Sequence, residues 1–197
     1  KGLGFLLIPI MTRLLVPSEY GILSVFGSIV SVSLVIMGLG IPGAVNRYYH
    51  ETTSDFKEYL GTNVIFLLIG CLIWLAVLFI FRSILSRVFN FDEHLLFLAF
   101  VIATMGIFYQ IYLFYLNAKK DSSLYAKMQI IKGTAIPIIS IVWILLLSQN
   151  RYMGAIYSNL VISAFIFVLS LYLLLKDSKI EFKLKHILYS LKFGIPW

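Results

Sequence analysis

The sequence predicts an all-α fold, a polytopic bundle of membrane helices, on three observations. Hydrophobic residues make up 60% of the 197 and charged residues only 13%. The mean hydropathy is +0.95, far from the balance of a water-soluble domain. The charges are clustered, and between them run uncharged stretches at 20–46, 59–81, 95–118, 133–150 and 152–175. Each is near or above the roughly 20 apolar residues that cross a hydrocarbon core about 30 Å thick.

The helices expected from this pattern cover 2–16, 20–45, 59–81, 95–117, 123–148 and 152–175. The first reads as the end of a helix whose beginning is missing, since Lys1 opens the chain without a methionine. A cleaved signal peptide fits poorly, because Arg13 interrupts the segment and no small-residue cleavage site follows. In PSEYG, Pro17 is expected to end this helix and Ser18 or a neighbour to cap the next. Glu19 suits the positive end of its dipole, and Tyr20 suits the interface. After 175 comes DSKIEFKLKHILYSLK, in which Ile180, Leu184, Ile187, Leu188 and Leu191 recur at helical spacing among lysines. A basic amphipathic linker helix over 176–191, lying on the cytoplasmic surface, is the expectation. Residues 192–197 then begin a new apolar run, so the chain reads as a fragment cut inside helix 1 and at the entry of helix 7.

Lysine and arginine set the orientation. With a cytoplasmic start, the inner segments hold twelve: Lys1, Arg47, Lys57, Lys119, Lys120, Lys127, Lys132, Lys176, Lys179, Lys183, Lys185 and Lys192. The outer segments hold four: Arg13, Arg82, Arg87 and Arg151. This bias accounts for the net charge of +7 without a nucleic-acid partner, since such cations face anionic lipid headgroups. The outer connections at 12–19, 82–94 and 149–152 are too short for an external domain.

Several chemistries find no support. The one cysteine, Cys71, lies inside a span, so the chain holds no disulfide framework. His50, His94 and His186 are far apart in connecting segments, without metal-ligand spacing. There is no GxxxxGK[ST] nucleotide loop. No cofactor and no enzymatic reaction are expected.

Polar residues inside spans need partners or a wet cavity. Ser24, Ser28, Ser31 and Gly38 share a face of the second helix and suit close packing; Asn159, Ser163 and Ser170 share one on the sixth and suit interhelical hydrogen bonds or a cavity wall. On the fifth, Tyr125, Gln129, Lys132 and Ser140 form a stripe that Pro137 interrupts, a residue that removes a backbone hydrogen bond and bends or weakens a helix. Lys132 has two open readings: a stem snorkelling to the headgroups, or a cation in a cavity suited to phosphate. In GLGIPGAVNRYYHE, Gly38 and Pro42 permit a broken helix at membrane depth. Arg47 beside Tyr48 reads equally as an anion site or as an interfacial anchor. Arg13 either snorkels or faces a cavity mouth.

This order of features, TRLLVPSEYG after the first helix, GLGIPGAVNRYY ending the second, a lysine on the fifth and a basic linker entering LKFGIPW, resembles the polysaccharide biosynthesis, or lipid-linked oligosaccharide flippase, family. That family belongs to the multidrug, oligosaccharidyl-lipid and polysaccharide exporter superfamily. The most specific positions are Arg13, Leu14, Pro17, Glu19, Tyr20, Gly21, Gly38, Arg47 and Tyr48. The resemblance implies the first lobe of a two-lobe exporter in a bacterial cytoplasmic membrane. It further implies alternating access that carries an undecaprenyl-diphosphate-linked oligosaccharide to the outer leaflet for O-antigen or capsule, beside other assembly proteins. Arg13, Arg47 and Lys132 are then candidate cavity cations, Gln129, Asn159 and Tyr48 candidate lining residues, and Pro137, Gly38 and Pro42 candidate hinges. A drug or metabolite antiporter of the same superfamily is the alternative, although none of the nine acidic residues lies in an uncharged span. A membrane glycan polymerase or ligase is a further one, but the outer loop RSILSRVFNFDEH offers only Asp92 and Glu93 together.

Overall fold

The computed structural model describes residues 9, 11–52 and 54–194, and among these the chain is almost wholly helical, with no strand. Residues 11–14 form a helical turn. Seven longer helices follow: α1 (Pro17–Gly38), α2 (Ile41–Glu51), α3 (Phe56–Phe89), α4 (Glu93–Ala118), α5 (Ser122–Leu146), α6 (Tyr152–Asp177) and α7 (Leu184–Gly194). Five of them, α1 and α3 to α6, are long and apolar enough to cross a membrane. They run alternately up and down, so one end of the bundle carries the 90–92 and 147–151 turns and the other carries 52–55, 119–121 and the linker. Most of the expected first helix, residues 2–8 and 10, lies outside the described residues.

α4 is the axis of the bundle. Its residues are apolar nearly all round, the pattern of a helix enclosed by protein. It packs against α1, α2, α3, α5 and α6. Accordingly 72% of its apolar window is buried, against 11% for α5 at the periphery. Between helices in lipid, contact depends on van der Waals packing and hydrogen bonds more than on exclusion of water. The core around α4 is accordingly dense, with Ile107, Phe108 and Ile111 fully enclosed beside Ile41, Tyr59 and Leu60.

Four boundaries differ from the sequence reading. First, the helix expected over 20–45 is two helices. Leu39 (φ 47°) and Gly40 (φ 69°) both adopt left-handed backbone, so α1 stops and α2 restarts in a new direction. Gly38, a candidate hinge, stays helical, and Pro42 occupies the first turn of α2, where its missing N–H costs nothing. Second, Pro17 begins a helix instead of ending one. It is the first residue of α1, Val16 is the cap, and the Glu19 carboxylate accepts from the Val16 N–H at 3.4 Å. Third, α3 runs on through Arg82 and Arg87 to a left-handed cap at Asn90. At 1.5 Å per residue it is about 51 Å long, more than the roughly 30 Å of hydrocarbon requires.

Fourth, the linker is not one amphipathic helix over 176–191. Residues 179–183 are non-helical, and α7 begins only at Leu184 and passes the expected boundary at 192. The strap binds α3: Lys179 N–H donates to the Lys57 carbonyl at 2.9 Å, and the Thr62 hydroxyl donates to the Glu181 carbonyl at 2.7 Å. Glu58 pairs with Lys179 at 3.0 Å and with Lys183, while Glu181 pairs with Lys183 at 2.9 Å and with Lys179. Of the five apolar residues expected to form one face, only Ile187 is buried against protein; Ile180, Leu184 and Leu188 point outward. α7 docks instead through His186, Ile187 and Ser190, because α2 and α3 offer it polar partners, Tyr48 and Tyr59.

Candidate functional site

The polar stripe of α5 is met by a second one on α4. Gln110, Leu113, Phe114 and Asn117 face Tyr125 and Gln129 across a groove, and the groove continues past Asn117 and Tyr125 to Lys120, Asp121 and Ser122 at the linker end. The α4 set has the i, i+3, i+4, i+7 spacing of one helix face. Asp121 caps α5 by accepting from the Leu124 N–H at 3.0 Å, which fixes the mouth of the groove.

Lys132 lies one turn beyond Gln129 on α5, outside the residues that line the groove. Its ammonium lies 4.4 Å from the centre of the Tyr109 ring, a cation–π contact that outlives the loss of water. No carboxylate lies within 4.0 Å of it among the described residues. One turn away, the Gln129 oxygen accepts from the Tyr109 hydroxyl at 3.4 Å, and its amide nitrogen donates to the Tyr125 hydroxyl at 3.3 Å. These bonds are longer than the ordinary 2.7–3.2 Å range, so both partners keep capacity for another group. The groove thus holds Lys120 and Asp121 at its mouth, a run of uncharged donors and acceptors, and the side chains of Tyr125 and Phe114.

The other candidates fall elsewhere. Asn159, Pro137 and Ser140 meet in a second, more apolar groove with Met11, Phe26 and Ile156, near the opposite end of the bundle. Ser140 thus parts from the stripe it shared with Lys132; its hydroxyl donates to the Ile136 carbonyl at 2.7 Å. Asn159 accepts from Ser163 at 3.0 Å. Pro137 lies inside α5, which continues unbroken through it. Arg13 is exposed on the turn before α1.

Arg47 and Tyr48 belong to the linker contact and not to either groove. Arg47 pairs with Glu51 at 2.5 Å and lies 3.8 Å above the Phe193 ring. Tyr48 is buried, stacked on Tyr59 at 3.8 Å, and donates to Asp55 at 2.8 Å. Both are spent on holding α7, which also ties Lys185 to Asp55 at 3.0 Å.

Sequence reasoning missed the α4 side of the first groove. The signal was present: Gln110 and Asn117 stand seven residues apart in an otherwise apolar span, two turns along one face. What it lacked was any sign that this face meets the α5 stripe.

Membrane-length helices around a central one, with a polar groove cut between two of them, define a polytopic helical membrane protein. A protein-family model described as polysaccharide biosynthesis protein matches residues 1–197, and the chain belongs to that family. No curated protein and no solved structure matches it. Membership places the chain in polysaccharide biosynthesis and export.

Proposed function

We propose that the protein is a flippase, a carrier without enzymatic chemistry. It would move an undecaprenyl-diphosphate-linked oligosaccharide from the inner to the outer leaflet of the bacterial cytoplasmic membrane by alternating access, with the linker end facing the cytoplasm. The observation that carries this reading is Lys132, a cation within a membrane-length helix, set over Tyr109 one turn beyond Gln129 of a polar groove and without a carboxylate beside it. A headgroup diphosphate supplies the missing counter-charge, while its lipid tail stays in the hydrocarbon. The positions of the acidic residues support a carrier of anions over an ion-coupled antiporter. Glu19, Glu51, Asp55, Glu58, Asp92, Glu93, Asp121, Asp177 and Glu181 all stand at helix ends or in connections.

The test deletes the whole gene and assays which leaflet holds the lipid-linked oligosaccharide. The expected result is accumulation on the cytoplasmic side, reversed by wild type and not by Lys132→Gln. Normal delivery to the outer leaflet in a strain without a second carrier would overturn the reading in favour of the antiporter.

A further inference from the structure

We propose that the end of the bundle opposite the linker carries a binding site for the headgroup of a zwitterionic phospholipid, one that bears a primary ammonium. The site is a hollow of about 200 Å³ between α3 and α4, lined by Arg82, Glu93, His94 and Phe97. Depth selects a lipid as the ligand. Arg82 is the first charge after the uncharged stretch 59–81, and Glu93 and His94 directly precede the uncharged stretch 95–118. At 1.5 Å per residue the first stretch is about 34 Å long, close to the roughly 30 Å of a hydrocarbon core, so these side chains stand at headgroup level. On the hydrocarbon side Phe97 meets the exposed Phe79 edge to face, with 5.8 Å between ring centres, and the two rings offer apolar surface to the first methylenes of a lipid chain.

Charge selects the headgroup. Arg82 and Glu93 lie 3.5 Å apart, longer than the roughly 2.7–2.9 Å of a charge-assisted hydrogen bond, and each side chain stays nearly half exposed. So loose a surface pair contributes little by itself. The Arg82 guanidinium is braced 4.7 Å above the Phe79 ring, which holds its plane while leaving its N–H donors available. A cation and a carboxylate side by side in one hollow match a headgroup whose phosphate and ammonium are joined by a short link. The phosphate accepts from Arg82 and from an N–H of the His94 ring, and the ammonium donates to Glu93. A glycerol headgroup brings no cation for Glu93, and a choline headgroup has no N–H to donate to it. The choice of leaflet rests on the flippase reading, with the linker end in the cytoplasm; the binding itself does not.

The test presents the full-length protein in detergent with an equimolar mixture of phosphatidylethanolamine, phosphatidylglycerol and phosphatidylcholine of identical acyl chains, and counts retained lipids by native mass spectrometry. The wild type should prefer the ethanolamine lipid about tenfold, the worth of one charge-assisted hydrogen bond. Glu93→Gln should lose that preference and bind phosphatidylglycerol at least as well as the wild type does, which also shows that the variant is folded. Arg82→Gln should weaken the ethanolamine and glycerol lipids alike, since both present a phosphate. Equal retention of the three lipids by the wild type, a preference that persists in Glu93→Gln, or undiminished binding in Arg82→Gln would each overturn the proposal. Such a result would leave the carrier reading standing, because lipid retention in detergent depends on neither leaflet nor cargo.

Discussion

The carbonyl oxygen of Lys179 occupies the space that a β-carbon on Gly61 would need. The strap therefore crosses α3 in direct backbone contact, and no side chain at position 61 is compatible with it. Gly70, nine residues further along the same helix, has nothing within 4 Å of that position. Gly61→Ala should therefore destabilise the protein by about 1–3 kcal/mol, the usual cost of overpacking. Gly70→Ala should be neutral or slightly stabilising, since alanine is the better helix former. Thermal unfolding of the two variants in detergent checks the contrast, and equal melting temperatures would refute it.

Gly40 carries the other backbone constraint. At φ 69° it adopts the left-handed conformation that a β-carbon disfavours by about 1–2 kcal/mol. Gly40→Val should cost at least that much, because a β-branched residue fits the region worst. The neighbouring Leu39 already bears the penalty at φ 47°, so Leu39→Gly should cost little or stabilise. Opposite signs at adjacent positions in chemical denaturation would establish that the break between α1 and α2 is fixed where the structure places it.

Glu19 ties two distant turns together. One carboxylate oxygen accepts from the Val16 N–H, and the other accepts from the Arg151 N–H at 2.8 Å. Glu19→Ala should lower stability by about 1 kcal/mol, the typical worth of an N-terminal cap, and Glu19→Gln by less. Arg151→Ala should cost less than Glu19→Ala, because the bond to Glu19 comes from the backbone and survives the change. Melting temperatures in the opposite order would show that the Arg151 side chain, which reaches the Leu14 carbonyl at 3.4 Å, is the stronger tie.

Docking of α7 should weaken in acid, in two steps. His186 is enclosed; its Nδ1 lies 3.5 Å from the Tyr48 hydroxyl, Tyr59 stands edge-on to the ring, and Nε2 has no hydrogen bond and lies 3.9 Å from Asp55. Burial most of all, then Lys185, hold its pKa below 6.5, with Asp55 pulling the other way and Lys183 and Glu58 adding smaller opposed effects. The docked ring thus binds a proton less readily than the undocked one, so docking is full above about pH 6.5 and declines as the pH falls through it. Asp55, held below 3.8 chiefly by the Lys185 hydrogen bond, adds a second loss below about that pH. Hydrogen exchange of the α7 amides against pH reads both steps. His186→Gln should abolish the first and keep the second.

Much of this architecture was legible in the sequence. The uncharged stretches located the five membrane-length helices, because a segment that must satisfy every backbone group without water has to be helical and long. The stripe of Tyr125, Gln129 and Lys132 was visible too, since it needs only the period of one helix. Where the reading failed, the deciding partner was remote in sequence. Pro17 suits either side of a helix boundary, and the Glu19 carboxylate, which caps α1 and takes the Arg151 N–H, decides for the start. The linker's apolar spacing pointed to Leu184 and Leu188, yet Tyr59, Ser190 and Asp55 turned the opposite side inward.

By itself, then, the sequence determined the solvent: hydropathy, charge clusters and helical period are local properties, and they dictate a helical bundle in a membrane. Only the tertiary structure decided which polar faces meet. It joined Gln110 and Asn117 to Tyr125 and Gln129, separated Asn159 and Ser140 from them, and committed Arg47 to the linker. The physical reason is that lipid rewards an apolar surface in any orientation. Helix rotation and pairing are set by the few close backbone crossings and hydrogen bonds, whose partners lie up to 138 residues apart.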